Sequence, residues 1–318
     1  MDIVLYALTA LLYGGLAVAG WRAHRNTAVE PALAGMPASG RLAGGMTAGT
    51  TGMADSMQSG RASKASGMSA MGCVLLGVAL FVHGLLLHTT IFLQNAMVFG
   101  FAFALSAMFW LGAGIYWIES FFFPLDGLRL LVLPLACVAS IMPLIFGGVR
   151  ILSYAAAPMF KLHFLIANIA YGLFAIAALH AILMLMVEKR LQNMRGTSTR
   201  HTSNSKVSSW LDALPPLLTL EKLLFRLISA GFVLLTLTLI SGVAFNKQLV
   251  DKAFKLDHKT VFAILSWLMF GALLTARRVS GWRGRAALRW VLASFVALLL
   301  AYVGSRFVFE VLLRRAVV

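Results

Sequence analysis

Charged side chains, and acidic ones above all, are scarce in this chain of 318 residues. Only 12% of the residues are charged, and 27 Lys and Arg stand against 11 Asp and Glu. A typical soluble domain has about 25% charged residues. Two cysteines exclude a disulfide scaffold, and the sequence has no Cys-x-x-Cys pair for thiol redox chemistry. These shortages exclude an ordinary cytoplasmic enzyme.

Apolar residues fill the chain instead: 60% are hydrophobic and the mean hydropathy is +0.87. A membrane-spanning helix needs about 20 mainly apolar residues, and eight stretches without Asp, Glu, Lys or Arg approach that length. None shows the alternation of a β-barrel strand. We therefore predict an all-α, polytopic membrane helical bundle with about eight transmembrane helices, the eighth continuing to Leu313. The stretches are Ile3–Trp21, Gly72–Leu93, Met97–Ile118, Leu130–Val149, Leu162–Val187, Leu227–Asn246, Thr260–Ala276 and Trp290–Ser305.

The positive charges predict the orientation of this bundle. The net charge of +16 is typical of basic loops beside membrane helices, so we expect membrane lipid and no nucleic acid as a partner. If the N-terminus lies outside, 18 of the 27 Lys and Arg fall in inside segments. Cytoplasmic loops carry the excess of Lys and Arg. Both termini are therefore predicted to lie outside.

Four regions follow from these segments. Residues 1–21 form the first transmembrane helix, which we interpret as a helix and not a cleaved signal peptide, because Arg22 and Arg25 follow it and no basic residue precedes it. Residues 22–71 form a flexible basic cytoplasmic loop rich in Gly, Ala, Ser and Thr. Residues 72–158 hold three transmembrane helices, and residues 159–318 hold four.

Histidines are the informative polar residues, because burying polar groups in lipid costs free energy. His88, His163 and His258 lie near the predicted outside ends of the second, fifth and seventh segments, whereas His83 and His180 lie within helices. His83 and His88 point about 140° apart on one helix, so they cannot ligate one metal from the same face. Taken singly, each histidine is also explained by a hydrogen bond to a neighbouring loop.

Signatures of catalysis are missing from the sequence. No H-E-x-x-H, G-x-S-x-G, P-loop or G-x-G-x-x-G pattern occurs. Acidic residues are too sparse for a paired-carboxylate site, and no carboxylate stands near His83 or His180 in sequence. We therefore expect no enzymatic activity.

Three stretches in the second half of the chain resemble a known membrane protein family. The first is Leu162-His163-Phe164 with Tyr171 eight residues after the histidine; the second is Asp257-His258-Lys259-Thr260, followed by Trp267; the third is Gly281-Trp282, followed by Ala301-Tyr302-Val303-Gly304. They are similar to the integral-membrane cytochrome c assembly family, the CcsA/CcmC-like haem-handling proteins. The resemblance covers about residues 160–313 and makes 159–318 a cytochrome c assembly-like core.

The whole chain looks most like the YpjD-type branch of that family. The likeness lies in the eight-helix layout, the His-x-x-x-x-His of the second segment, the Leu-Pro-Pro-Leu-Leu-Thr-Leu-Glu loop and the Asp-His-Lys-Thr motif. It implies a multi-pass protein of the bacterial inner membrane. It also implies haem and other cytochrome maturation proteins as partners.

The resemblance implies a haem site on the outer face. His163 matches the family's first outer ligand, but loop 242–256 has no Trp, and Leu313 stands where the second outer ligand is expected. The metal ligands are therefore predicted to be His163 and His258, with His88 as the runner-up for the second position. The other expected cofactor-binding residues are aromatic or belong to the matching motifs: Tyr171, Phe245, Phe254, Asp257 and Trp267.

The function implied by the resemblance is haem binding or handling at the periplasmic face during cytochrome maturation. One alternative is a haem-free membrane scaffold or regulator derived from the same family, which the missing tryptophans favour. A second is a small-molecule transporter. Transporters typically have repeated halves and charges at the membrane midplane, and the sequence shows no clear repeat and no charge in the middle of any segment.

Overall fold

A computed structural model of the chain describes residues 2–27, 68–93, 96–97, 100–146, 158–196, 217–249 and 258–304. This part of the chain forms eight α-helices and one short hairpin, in which β1 (Phe92–Leu93) pairs antiparallel with β2 (Ala96–Met97). The last helix continues as a π-helical turn, Leu300–Gly304. The helices are α1 Asp2–Thr27, α2 Ala70–Ile91, α3 Phe101–Ser120, α4 Asp126–Ile145, α5 Pro158–Gly196, α6 Leu217–Leu249, α7 His258–Ser280 and α8 Arg285–Leu299.

The predicted fold class, a helical membrane bundle, is confirmed. Seven helices, α1 to α7, are long and apolar enough to cross a membrane. Helices suit this environment because they satisfy all backbone hydrogen bonds within one segment. The eighth, α8, has 15 residues and continues through the π-helical turn to Gly304. Its predicted extension from there to Leu313 lies outside the described residues. The predicted orientation and the division into four regions stay predictions.

Helix ends differ from the charge-free stretches in a systematic way. Helix α5 runs past Val187 to Gly196, and α6 begins at Leu217, ten residues before the predicted Leu227. The predicted stretches end at the first Asp, Glu, Lys or Arg. A helix can continue beyond that residue, because at the membrane interface charged side chains form ion pairs or contact water. Phe92, Leu93 and Met97 were predicted to be helical, and this was wrong, because all three lie in the hairpin.

Helix α5 is the centre of the bundle. It packs against α3, α4, α6 and α8, while α1 packs against α2 and α4, and α2 packs against α3. Two thirds of its most apolar window is buried, the largest share among the seven candidate spans. Its Phe174 stacks on Phe270 of α7 with ring centroids 4.0 Å apart.

Helices α3 and α5 approach each other closely at mid-length. A Cβ atom on Gly172 would lie 2.9 Å from the Cβ of Leu111, and one on Gly112 would lie 3.4 Å from the side chain of Ile176. Small residues permit such close approach of membrane helices. The middle of the α3–α5 pair is therefore tightly fitted.

Ion pairs close one end of the bundle. Arg277 of α7 pairs with Glu221 of α6, which also lies 3.5 Å from Arg283, and Arg285 of α8 lies 3.1 Å from Glu188 of α5. We call this end, where α3 and α5 finish and α6 begins, the basic end. The opposite end, where α3 and α5 begin, is the His163 end.

The turn between α7 and α8 is set by two glycines. Gly281 and Gly284 have φ values of 63° and 80°, a left-handed region that suits glycine because it has no Cβ. The turn brings Arg277, Arg283 and Arg285 to the acidic partners on α5 and α6.

Candidate functional site

His163 lies in the second turn of α5 with one ring nitrogen held by α6. Its Nδ1 is 2.8 Å from the Ser241 hydroxyl, and that hydroxyl donates to the Thr238 carbonyl at 3.1 Å. A hydroxyl has one proton to donate, so the Ser241 oxygen accepts from His163 and Nδ1 carries the ring proton. The unprotonated nitrogen is then Nε2, which is the form of a histidine that can ligate a metal.

A mainly apolar cavity of about 130 Å³ adjoins His163. It is formed by the first half of α3, the first half of α5 and the π-helical turn. Pockets that enclose a drug-sized ligand measure roughly 300–1000 Å³. The cavity is therefore smaller than a pocket that encloses a whole ligand of that size, and its lining offers one imidazole beside an apolar contact surface. Its lining is Ala104, Met108, Phe160, His163, Phe164, Ala167, Asn168, Tyr171 and Val303.

Tyr171 lines the same cavity, two helical turns after His163. Its hydroxyl donates to the carbonyl of Leu298 at 3.0 Å and so ties α5 to α8. The structure therefore brings together His163 and Tyr171, the pair on which the first matching stretch depends. Tyr171 also has a structural role, because this hydrogen bond crosses between helices.

The other predicted residues lie apart from that cavity. His88 is exposed in the last turn of α2, and His258 is exposed at the start of α7. Trp267 faces a different groove, where its indole donates to Thr236 at 2.9 Å and stacks on Phe232. Among the described residues, none of these three predicted residues lines the His163 cavity.

Three further predicted residues cannot be placed around His163. Phe254 and Asp257 lie outside the described residues. Phe245 lies on the backbone of α6, but its side chain is outside the described part. Within the described residues, no group of three or more His, Cys, Asp or Glu side chains converges on one metal position.

Sequence reasoning missed a second polar site, at the basic end. Nε2 of His180 lies 3.8 Å from Oε2 of Glu119. The two residues are 61 positions apart, so the sequence showed no carboxylate near this histidine. The one available signal was that both lie near the predicted inside ends of their helices.

His83, by contrast, is a structural histidine. It is fully buried, its Nε2 is 2.9 Å from the Ser106 hydroxyl, and its Nδ1 is 3.3 Å from the Tyr13 hydroxyl. Both ring nitrogens therefore have partners, and the side chain joins α2 to α1 and α3.

The chain is similar in sequence to a known protein family and to several curated proteins. The model of the family described as "Cytochrome C assembly protein" matches residues 71–313. "Inner membrane protein YpjD" of Escherichia coli (strain K12) is 32% identical over 155 residues, which cover 48% of this chain and 53% of that protein. An "uncharacterized 28.8 kDa protein in nifR3-like 5'region" of Azospirillum brasilense is 30% identical over 54% of this chain and 57% of its own.

A shorter match links the chain to a named biogenesis protein. "Cytochrome c biogenesis protein CcsA" of Prochlorococcus marinus (strain NATL1A) is 34% identical over 85 residues, which cover 27% of each chain. The chain thus spans about half the length of the first curated relatives it matches, and about a quarter of this one. No solved structure gives a significant match.

Proposed function

Since this chain belongs to the cytochrome c assembly protein family, we propose that it binds or hands on haem at the periplasmic face during cytochrome maturation. The chain is a multi-pass membrane protein of the inner-membrane type. It has seven helices apolar enough to cross a membrane, and one of its relatives is named an inner membrane protein. One of its matches is named a cytochrome c biogenesis protein. The partners would be haem and other maturation proteins.

The observation that carries the proposal is the hydrogen bond that holds His163. Histidines that ligate metals generally donate their other ring N–H to a neighbouring acceptor, which fixes the tautomer and the ring orientation. The Ser241 hydroxyl is such an acceptor, 2.8 Å from Nδ1. His163 would supply one axial ligand through Nε2, as haem iron held by protein requires.

The remaining contacts come from the apolar side of the cavity. Met108 and Phe164 would contact the porphyrin, and Tyr171 would keep α5 and α8 in place around it. Haem is cargo here, so the chain needs to hold and release it and to break no bond. His258 and His88, both exposed, are the candidates for the second ligand.

The test is an absorption spectrum of the detergent-purified full chain after haem-replete expression. His163→Ala, His258→Ala and His88→Ala are compared with wild type, and His201→Ala, in a loop predicted to lie inside, is the control. We expect the haem band to fall with His163→Ala and with one of the other two site variants, and to stay with the control.

Two results would contradict the proposal in different ways. Full haem occupancy in His163→Ala would mean that the ligand assignment is wrong. A wild-type protein without a haem band, even after addition of haemin, would favour the haem-free scaffold.

A further inference from the structure

Glu119 and His180 form an isolated polar contact at the basic end. Glu119 lies in the last turn of α3, and His180 lies on α5, about 25 Å along the helix from His163 at 1.5 Å per residue. The imidazole is fully buried, and the carboxylate side chain is 11% exposed. Ionisable groups inside a membrane bundle are rare and generally have a function.

The hydrogen bonds of His180 fix where its first proton is. Nδ1 lies 3.0 Å from the carbonyl oxygen of Ile176, and a carbonyl oxygen can only accept, so Nδ1 carries a proton. In the neutral imidazole, Nε2 is then a bare acceptor. It faces Oε2 of Glu119, which in the ionised carboxylate is also an acceptor.

Neither of these facing atoms has another partner among the residues that the structure describes. Within the described part of the chain, Oε2 of Glu119 and Nε2 of His180 are buried without a hydrogen bond. Their separation of 3.8 Å is longer than a hydrogen bond. Two acceptors that face each other cannot satisfy one another, and one of them carries an unpaired charge.

Only one of the possible protonation states satisfies both atoms. If the pair of Oε2 and Nε2 carries no proton, two acceptors oppose each other, and if it carries two, a positive charge is buried. If the pair carries one proton, either the carboxylic acid donates to Nε2 or the imidazolium pairs with the carboxylate, and both atoms are satisfied. We propose that Glu119 and His180 form a binding site for one exchangeable proton, held between Oε2 and Nε2.

The contrast with His83 supports this inference. Both imidazoles are fully buried. His83 has the hydroxyls of Ser106 and Tyr13 at its two nitrogens, and a hydroxyl can donate or accept, so no additional proton is needed. At His180 the second neighbour is a carboxylate, which cannot donate unless it is protonated.

A groove between α3 and α6 gives the proton a route. Glu119 lines this groove together with Arg226, Phe122 and Leu223, and Phe122 is 74% exposed. The carboxylate thus lies between the groove and the buried imidazole. The proton would enter through Glu119 and reach His180 from the basic end.

Other ionisable groups also lie at the basic end. They lie on α2 to α8. These are Cys73 on α2, Tyr116 on α3, Asp126 and Arg129 on α4, Glu188 on α5, Glu221, Lys222 and Arg226 on α6, Arg277 on α7 and Arg285 on α8.

The bound proton has a structural consequence, because it joins the end of α3 to α5. The same two helices line the His163 cavity at the opposite end. Between the two ends they pack closely at Gly172. Loss of the proton would therefore loosen the α3–α5 contact at the basic end. This inference does not depend on haem binding.

The test measures the unfolding temperature of the full chain in detergent at a series of pH values, from about pH 5 to slightly above about pH 8. On the alkaline side the wild type loses the shared proton, and its unfolding temperature should fall. In Glu119→Gln the amide donates to Nε2 at every pH, so this alkaline fall should disappear. Glu188→Gln, which removes the acidic partner of Arg285, is the matched control and should keep it.

A second variant covers the case in which Glu119→Gln does not fold. Glu119→Asp keeps the carboxyl group but withdraws it by one methylene, so the proton is held less tightly and the alkaline fall should move to lower pH. Superimposable profiles of wild type, Glu119→Gln and Glu119→Asp would overturn the proposal. A fall that disappears equally in Glu188→Gln would also overturn it, because the titrating group would then lie elsewhere.

Discussion

The two ends of the α3–α5 pair use histidine in opposite ways. At the His163 end, the imidazole is half-buried, has the Ser241 hydroxyl on Nδ1 and borders a cavity. At the basic end, the imidazole of His180 is fully buried and faces a carboxylate without a hydrogen bond. At one end a hydroxyl bonds to the imidazole beside a cavity, and at the other the imidazole presents a lone pair toward a second acceptor.

The difference lies in the partner and not in the helix that carries the histidine. A hydroxyl adapts its proton to its neighbour, so Ser241 can fix His163 without a change in charge. A carboxylate cannot adapt without gaining a proton, so Glu119 makes the state of His180 depend on protonation. Under the two proposals, the first end would take a metal-centred ligand and the second a proton.

The largest expected effect comes from removing one member of the buried pair. His180→Leu leaves the Glu119 carboxylate buried without its partner, and breaking a buried pair in this way costs about 3–5 kcal/mol of unfolding free energy. Replacing both, as Glu119→Leu with His180→Leu, should recover most of that loss, because two apolar groups need no partner. Reversible unfolding in detergent measures the double-mutant cycle.

His163→Leu is the matched comparison at the other end. It removes one hydrogen bond from a half-buried site, so about 1 kcal/mol is expected. Equal losses for His163→Leu and His180→Leu would contradict the distinction between the two ends.

An intermediate loss of stability is expected at the close contact between α3 and α5, midway between the His163 end and the basic end. Gly172→Ala would place a Cβ 2.9 Å from that of Leu111, and overpacking of this kind costs about 1–3 kcal/mol. Gly114→Ala is the control on α3, since a Cβ there meets nothing within 4 Å, and removing glycine flexibility should leave stability unchanged or slightly higher. Thermal unfolding compares the two variants, and an equal loss in both would contradict the close fit.

The smallest effect on stability is expected for substitution of Ser241, whose hydroxyl orients the imidazole of His163. Ser241→Ala removes one partly buried hydrogen bond, which contributes about 1 kcal/mol or less. If haem binds through His163, its affinity should fall about 10–100-fold, as is typical when a supporting partner of a ligating histidine is lost. Haem titration measures this, with Ser229→Ala as the control, because within the described residues that hydroxyl donates to the Phe225 carbonyl of the same helix. Unchanged affinity would mean that Ser241 does not orient a ligand.

Parts of the candidate site were predictable, and parts were not. His163 and Tyr171 were found because a family resemblance fixed their spacing, and two helical turns place both on one cavity. Trp267 was grouped with them by the same resemblance, but its position depends on how α7 packs on α6, and its indole bonds to Thr236. The spacing of two residues within one helix determines whether they lie on the same face. The spacing of two residues on different helices does not determine whether their side chains meet.

The sequence by itself determined that this protein is a membrane bundle and where most of its helices lie, because lipid leaves the backbone few alternatives to a helix. It also determined the family, whose model matches residues 71–313. The tertiary structure alone decided which polar groups meet. Glu119 and His180, 61 positions apart, come within 3.8 Å because Gly112 and Gly172 let α3 and α5 approach closely.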